Sequence, residues 1–151
     1  MKNFIYIFLH FTISMAQVNV NLESIPIGVT IIIDSKPAGV TPQYNLQLTP
    51  GIHSIELSKE NFVPIKWKTV LQEAVKAELS FRMKAIHEIR FISKENGLRF
   101  QFDGQAIWSD KRVILKLEEG EHDLVVFKAG AIVDQKSVII SEPTKIIYSL
   151  K

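Results

Sequence analysis

Gly51-Ile52-His53-Ser54-Ile55-Glu56-Leu57 and Gly120-Glu121-His122-Asp123-Leu124-Val125-Val126 are two writings of one pattern: a turn glycine, a histidine two positions on, and an alternating apolar run. The two glycines stand 69 residues apart, and that offset runs without a gap outward from them in both directions. Ser24 meets Ser93, Gly28 meets Gly97, Asp34 meets Asp103, and Leu46 and Leu48 meet Leu115 and Leu117. Towards the other end Lys59 meets Lys128, Glu73 meets Glu142, Lys76 meets Lys145 and Ser80 meets Ser149. The matches fall on turn glycines and inward leucines, where backbone geometry and packing restrict the choice, as expected of an internal duplication. Two copies follow, residues 17–84 and 85–151. The junction from Lys84 to Ile86 has no Gly, Pro or Ser enrichment, which predicts a short, stiff connection.

Within each copy the apolar residues alternate with period two, the mark of strands buried on one face. Val18, Val20 and Leu22 alternate, as do Ile89 and Phe91; Val29, Ile31 and Ile33 correspond to Leu98, Phe100 and Phe102. Ile55 and Leu57 answer to Leu124 and Val126, and Ala77, Leu79 and Phe81 to Ile146, Tyr148 and Leu150. Asn96-Gly97 and Asp103-Gly104 are hairpin dipeptides, and Thr49-Pro50-Gly51 reads as a turn. Leu71 to Leu79 leans helical, but its counterpart, Ile140 to Tyr148, holds Pro143 and β-branched residues, so both are read as strand, turn, strand. Short strands with one apolar face must bury it against a second sheet, which predicts an all-β chain of two tandem small β-sandwiches. A module of this size buries only about 60% of its surface and is marginal alone, which favours packing of the two together.

Mixed charge, 18 Lys and Arg against 16 Asp and Glu, implies no strongly basic or acidic face, and so argues against a nucleic-acid partner. The absence of cysteine excludes a disulfide framework and a thiolate metal site. The opening MKNFIYIFLHFTISMAQ has the form of a secretory signal, with Lys2 as the positive start, Phe4 to Met15 apolar, and a cut after Ala16. Its apolar run, interrupted by His10, is shorter than the roughly 20 residues needed to cross a bilayer, so the mature chain is expected to have no membrane span. No cysteine follows it to be acylated. A mature chain starting at Gln17, a form common among exported Bacteroidetes proteins, is expected in the periplasm or at the cell surface.

Pro26-Ile27-Gly28-Val29, the strand Thr30 to Asp34, Gly39-Val40-Thr41-Pro42, Leu46, Leu48, Pro50-Gly51-Ile52-His53 and Lys59-Glu60-Asn61-Phe62 follow one another over nearly the whole first copy. In that order and spacing they resemble the PEGA domain family, with Ile27 where Glu is usual and Asp34-Ser35 where Asp-Gly is usual. The second copy keeps Asp103-Gly104, Gly120-Glu121-His122 and Lys128-Ala129-Gly130 but lacks the Gly-x-Thr-Pro element, and resembles a diverged member. The resemblance implies a β-sandwich in an envelope or secreted protein. It implies no reaction, because the family has no common activity and serves in adhesion, carbohydrate association or scaffolding.

His53 and His122 occupy equivalent places after the turn glycine and are read as structural, bonded to nearby backbone, since neither has a suitable flanking partner in both copies. Glu119, Glu121, His122 and Asp123 cannot converge on a metal, because consecutive strand residues point to opposite faces. Asp34 and Asp103 are read as hairpin-turn residues rather than general bases. With no phosphate loop, nucleophile motif or paired ligands, no enzyme and no cofactor are expected. Apolar residues that one copy carries where the other is charged or small are candidates for contact. Ile65 and Trp67 stand against Asp134 and Lys136, Val125 and Phe127 against Glu56 and Ser58, and Trp108, beside Ile107, against Gly39. They serve either the interface between the copies or an external partner. The expected function is a non-enzymatic exported accessory held by an envelope or surface protein complex. The alternative is a carbohydrate- or peptidoglycan-binding module that stacks a Trp on a sugar.

Overall fold

The computed structural model describes residues 16–73 and 75–150; the expected signal peptide, but for its last residue, lies outside them. The described chain is all-β. The first seven strands are β1 (Val18–Ile25), β2 (Thr30–Ile33), β3 (Lys36–Val40), β4 (Gln43–Leu48), β5 (Gly51–Ser58), β6 (Ile65–Leu71) and β7 (Ala77–Arg82). The rest are β8 (Ile86–Ser93), β9 (Leu98–Phe102), β10 (Arg112–Glu118), β11 (Gly120–Lys128), β12 (Ala131–Ile140) and β13 (Thr144–Tyr148). They form four sheets, ordered β4-β1-β7, β3-β2-β5-β6, β10-β8-β13 and β12-β11-β9. Every sheet draws its strands from one side of the junction, and so does every buried apolar cluster. Leu22, Ile31, Ile55 and Leu57 meet on the first side; Ile89, Phe91, Phe100, Leu124 and Tyr148 meet on the second. These are the inward positions of the period-two pattern, and their burial is the main driving force for closing each pair of sheets. In the described residues from Leu71 to Leu79 the chain runs strand, turn and strand, because Leu71, Ala77 and Leu79 pack on sheet faces and not on a helical stripe.

Strand pairing repeats at the offset of the sequence. Val18 pairs with Leu48 as His87 pairs with Leu117, Ile31 with Leu57 as Phe100 with Val126, and Ile55 with Trp67 as Leu124 with Lys136. The last strand departs from it. Phe81 pairs with Ser24, yet Tyr148, not Leu150, pairs with the equivalent Ser93. The connection into β13, residues 141–143, is shorter than residues 72–76, and the strand takes up the difference as a two-residue slip. An even slip keeps each side chain on its own face, so the core survives it. Tyr148 thereby stands where Phe81 does.

A second departure is the loss of β3 from the second half. Gly39 has φ +95°, and a Cβ there would lie 2.6 Å from the Gln43 side chain. Trp108 cannot take that conformation, and the segment retains a single bridge to Phe100, with N–O bonds of 2.8 and 3.0 Å.

The junction is pinned from both sides. Ile86 N donates to Asn61 O at 2.7 Å, Val63 N to Lys84 O at 2.9 Å, and Glu119 N to Ala85 O at 2.7 Å. Three backbone bonds across so few residues make the connection short and held, without a flexible tether.

The Gly-x-Thr-Pro element of the first half earns its place through Thr41, which is buried beside Ser24. Its hydroxyl lies 2.6 Å from Ser24 Oγ and accepts from Val29 N at 3.0 Å, while Ser24 Oγ also bonds to Pro26 O at 2.6 Å. Lys59 Nζ donates to Ile27 O and Gly28 O at 3.0 and 3.1 Å, closing the same turn from outside. Thr41→Val keeps the shape but orphans the buried Val29 N–H, and should lower the unfolding free energy by about 1–3 kcal/mol in urea titration. Ser35 holds φ +65° where its counterpart is Gly104 at +70°. Ser35→Gly should therefore be neutral or stabilising, by up to about 1 kcal/mol, in the same titration.

Candidate functional site

The sequence motifs meet at a polar clip that the fold builds twice. Asp34 sits in the two-residue hairpin between β2 and β3 with φ +49°, and Asp103 sits in the matching turn with φ +48°. That backbone aims each carboxylate at the start of the neighbouring strand. Asp34 Oδ1 accepts from Ser54 N at 2.8 Å and Oδ2 lies 2.6 Å from His53 Nδ1; Asp103 makes the same two contacts with Asp123 N and His122 Nδ1, at 2.8 and 2.6 Å. The far ring nitrogen, Nε2, lies 2.7 Å from Thr49 O in the first half and 2.7 Å from Glu118 O in the second. Thr and Glu can alternate at that place because only the carbonyl is used.

Each ring therefore faces a carboxylate on one side and a carbonyl on the other, and neither acceptor can donate. Both nitrogens must carry protons, which makes each ring an imidazolium. Burial opposes that charge, yet the Thr49 carbonyl and the Asp34 carboxylate outweigh it and hold His53 above its ordinary value. His122 is raised in the same way, against burial, by Asp103 and the Glu118 carbonyl. Asp34 is lowered by the Ser54 backbone N–H and by His53, and Asp103, against burial, by His122 and the Asp123 N–H. An imidazolium with both protons engaged has no lone pair for a base or a metal. Among the described residues no three His, Cys, Asp or Glu side chains group as a metal site. The partner missing from the sequence reading was the turn aspartate, 19 residues before the histidine in both halves. The repeated spacing was the available signal.

The contact candidates separate into three places. Ile65 and Trp67 share the inward side of edge strand β6: Ile65 is partly buried against the core, while Trp67 is 51% exposed, its ring edge-on to Phe81 at 6.2 Å. At the equivalent place on β12, Lys136 Nζ lies 4.5 Å over the Tyr148 ring and 3.0 Å from Asp134, which accepts from the Tyr148 hydroxyl at 2.8 Å. Desolvation and that carboxylate push the Tyr148 hydroxyl well above its ordinary range. Val125 and Phe127 lie half-buried on the outer face of β11, beside Arg99, Gln101 and the exposed Ile132. Ile107 is exposed, but Trp108 turns inward, 5.6, 5.8 and 5.9 Å from the rings of Phe91, Phe100 and Phe102. Trp108 stands where the first half has β3 and is partly buried against the core, with three aromatic rings around it, so most of it is used in packing and it is not an open contact surface.

The clips set a pH dependence. The raised histidines support the fold fully below about pH 6.5 and lose that support as pH rises through their folded-state values. The lowered carboxyls contribute above about pH 3.8 and lose it as pH falls further. Urea titrations from about pH 4 to pH 9 should show an alkaline decline in stability that His53→Gln and His122→Gln each reduce and the double variant removes. An undiminished decline in the double variant contradicts the charged rings.

Comparison with known proteins bears mainly on the first half. The chain is similar over 89% of its length to the Bacillus anthracis TIE protein, at 15% identity and a TM-score of 0.35, and spans 33% of that chain. It is similar over 88% of its length to the Streptococcal ancillary pilin, at 11% identity and a TM-score of 0.40, and spans 61% of it. No protein of curated function matches the sequence. The model of the PEGA domain matches residues 17–85, so the stretch that holds β1 to β7 and the first clip is one PEGA domain.

Proposed function

We propose that this is an exported, non-enzymatic structural protein of the bacterial envelope that acts by binding a partner protein, and that its mature part is two tandem PEGA-type sandwiches, residues 17–84 and a diverged 85–151. The recurrence of the Asp–His clip on both sides of the junction, with the same partners and distances, is the observation that carries the second sandwich. The clip engages both ring nitrogens of His53 and of His122, which supports a binding role over a catalytic one for these residues. Apolar side chains remain at the surface: Trp67 on β6, whose counterpart is Lys136, and the strip of Val125, Phe127 and Ile132 on β11 and β12, of which the first two stand against Glu56 and Ser58. Such places suit a protein partner, whose interfaces favour aromatic anchors.

Affinity capture from the native envelope with the mature chain should retain a protein partner, and Trp67→Ala or Phe127→Ser should weaken that retention about tenfold or more. Retention on isolated cell-wall polysaccharide, lost with Trp67→Ala while no protein is captured, replaces this reading with the carbohydrate one.

A further inference from the structure

We infer that the free edge of β6 is the docking strand, and that it takes an extended segment of the partner protein, acidic on its outer face and apolar on its inner one. The inference rests on the partner-binding reading and names where and how that partner binds.

Every open sheet edge presents unpaired backbone groups to a neighbouring strand, and folded proteins block most of them. The sheet β3-β2-β5-β6 has two edges. β3 carries Pro37, which has no N–H to offer, and Gly39 at positive φ. β6 runs seven residues, Ile65–Leu71, among the described residues pairs only with β5, and contains neither Pro nor Gly. The second half shows what a blocked version of the same edge looks like. There Asp134 and Lys136 point inward from β12 and engage Tyr148, so an incoming strand would have to bury charge beside them. The first half has Ile65 and Trp67 at those positions, and Trp67 leaves half its surface open at the rim. A strand added beside β6 would cover that ring with an apolar side chain of its own.

The other face selects the partner's charge. Lys66 and Lys68 alternate with Trp67 and are exposed; Lys66 touches Glu56 only loosely, at 3.7 Å. Carboxylates on the incoming strand would stand opposite them, and opposite charges across a strand pair are favourable. The same lysines disfavour the central registers of self-pairing with a second copy of this chain. Antiparallel self-pairing centred on Trp67 places Lys66 opposite Lys68 twice, and centring on either lysine places it opposite itself.

The test uses the mature chain and a capped ten-residue peptide of alternating glutamate and valine. Its controls are the lysine-for-glutamate peptide and a version N-methylated on alternate residues. Tryptophan emission should shift to the blue on saturation with the acidic peptide, and Trp67→Phe should remove the shift while binding persists. Lys66→Glu combined with Lys68→Glu should weaken binding about tenfold, and the N-methylated and lysine peptides should bind at least about tenfold more weakly. Absent or charge-independent binding overturns the inference, and so does a dimer of the chain in sedimentation that Trp67→Ala dissolves. If envelope capture retains a partner that the double lysine variant holds equally well, the docking strand is wrong and the partner reading stands. If capture retains nothing, that reading fails, and the peptide titration still decides whether β6 accepts an acidic strand.

Discussion

An aspartate in a hairpin turn, a histidine near the start of the neighbouring strand in the sheet and a backbone carbonyl before it form the interaction on which each half of this protein depends. The clip joins two separate stretches of chain. The hairpin after β2 or β9, the turn before β5 or β11, and the first residues of that strand are all held by one carboxylate and one ring. Because the ring has an acceptor on each side, it is charged, and charge-assisted bonds of this kind are stronger and more directional than neutral ones. Removing the carboxylate leaves a buried ring nitrogen without its acceptor, and removing the ring leaves one carboxylate oxygen without its donor, which fits the agreement of the two halves here amid wide differences elsewhere.

Around that fixed point the halves diverge in ways that remain physically consistent. Where the first half has a strand, β3, made possible by a glycine at positive φ, the second has a tryptophan, and the indole becomes part of the core. Where the first half has a long connection into its last strand, the second has a short one, and a slip of two residues restores the facing of every side chain. That slip brings Tyr148 to the place of Phe81. The rim that Trp67 closes against Phe81 in the first half is closed by Lys136 and Asp134 against Tyr148 in the second. The same opening is apolar in one half and charged in the other, and the two edges consequently present different surfaces to any neighbour.

Much of this was legible in the residues. Period-two alternation located the strands, because a half-buried strand leaves that trace whatever its partners, and the offset of 69 located equivalent turns. Two things were not legible. The offset could not reveal the slip of β13, since alternation is unchanged by an even shift. Trp108 is a candidate for contact because Gly39 stands against it in the alignment of the copies, but a glycine says nothing about what space lies beyond it. The clip was half legible: Asp34 and His53 were each singled out, and their pairing required knowing that strands β2 and β5 are neighbours. The match to the PEGA domain covers residues 17–85, the half that keeps the Gly-x-Thr-Pro element, while the second half shares the clip and much of the strand pairing of the first.

The direct measurement is nitrogen NMR of the imidazole rings in chain labelled at histidine, recorded at about pH 6, below the ordinary histidine value, with correlation across the hydrogen bonds. Two rings, His53 and His122, should each carry protons on both nitrogens, with Nδ1–H coupled to the carboxylates of Asp34 and Asp103 and Nε2–H to backbone carbonyls. One neutral ring, or a coupling present in the first half and missing from the second, contradicts a fold built twice on the same clip.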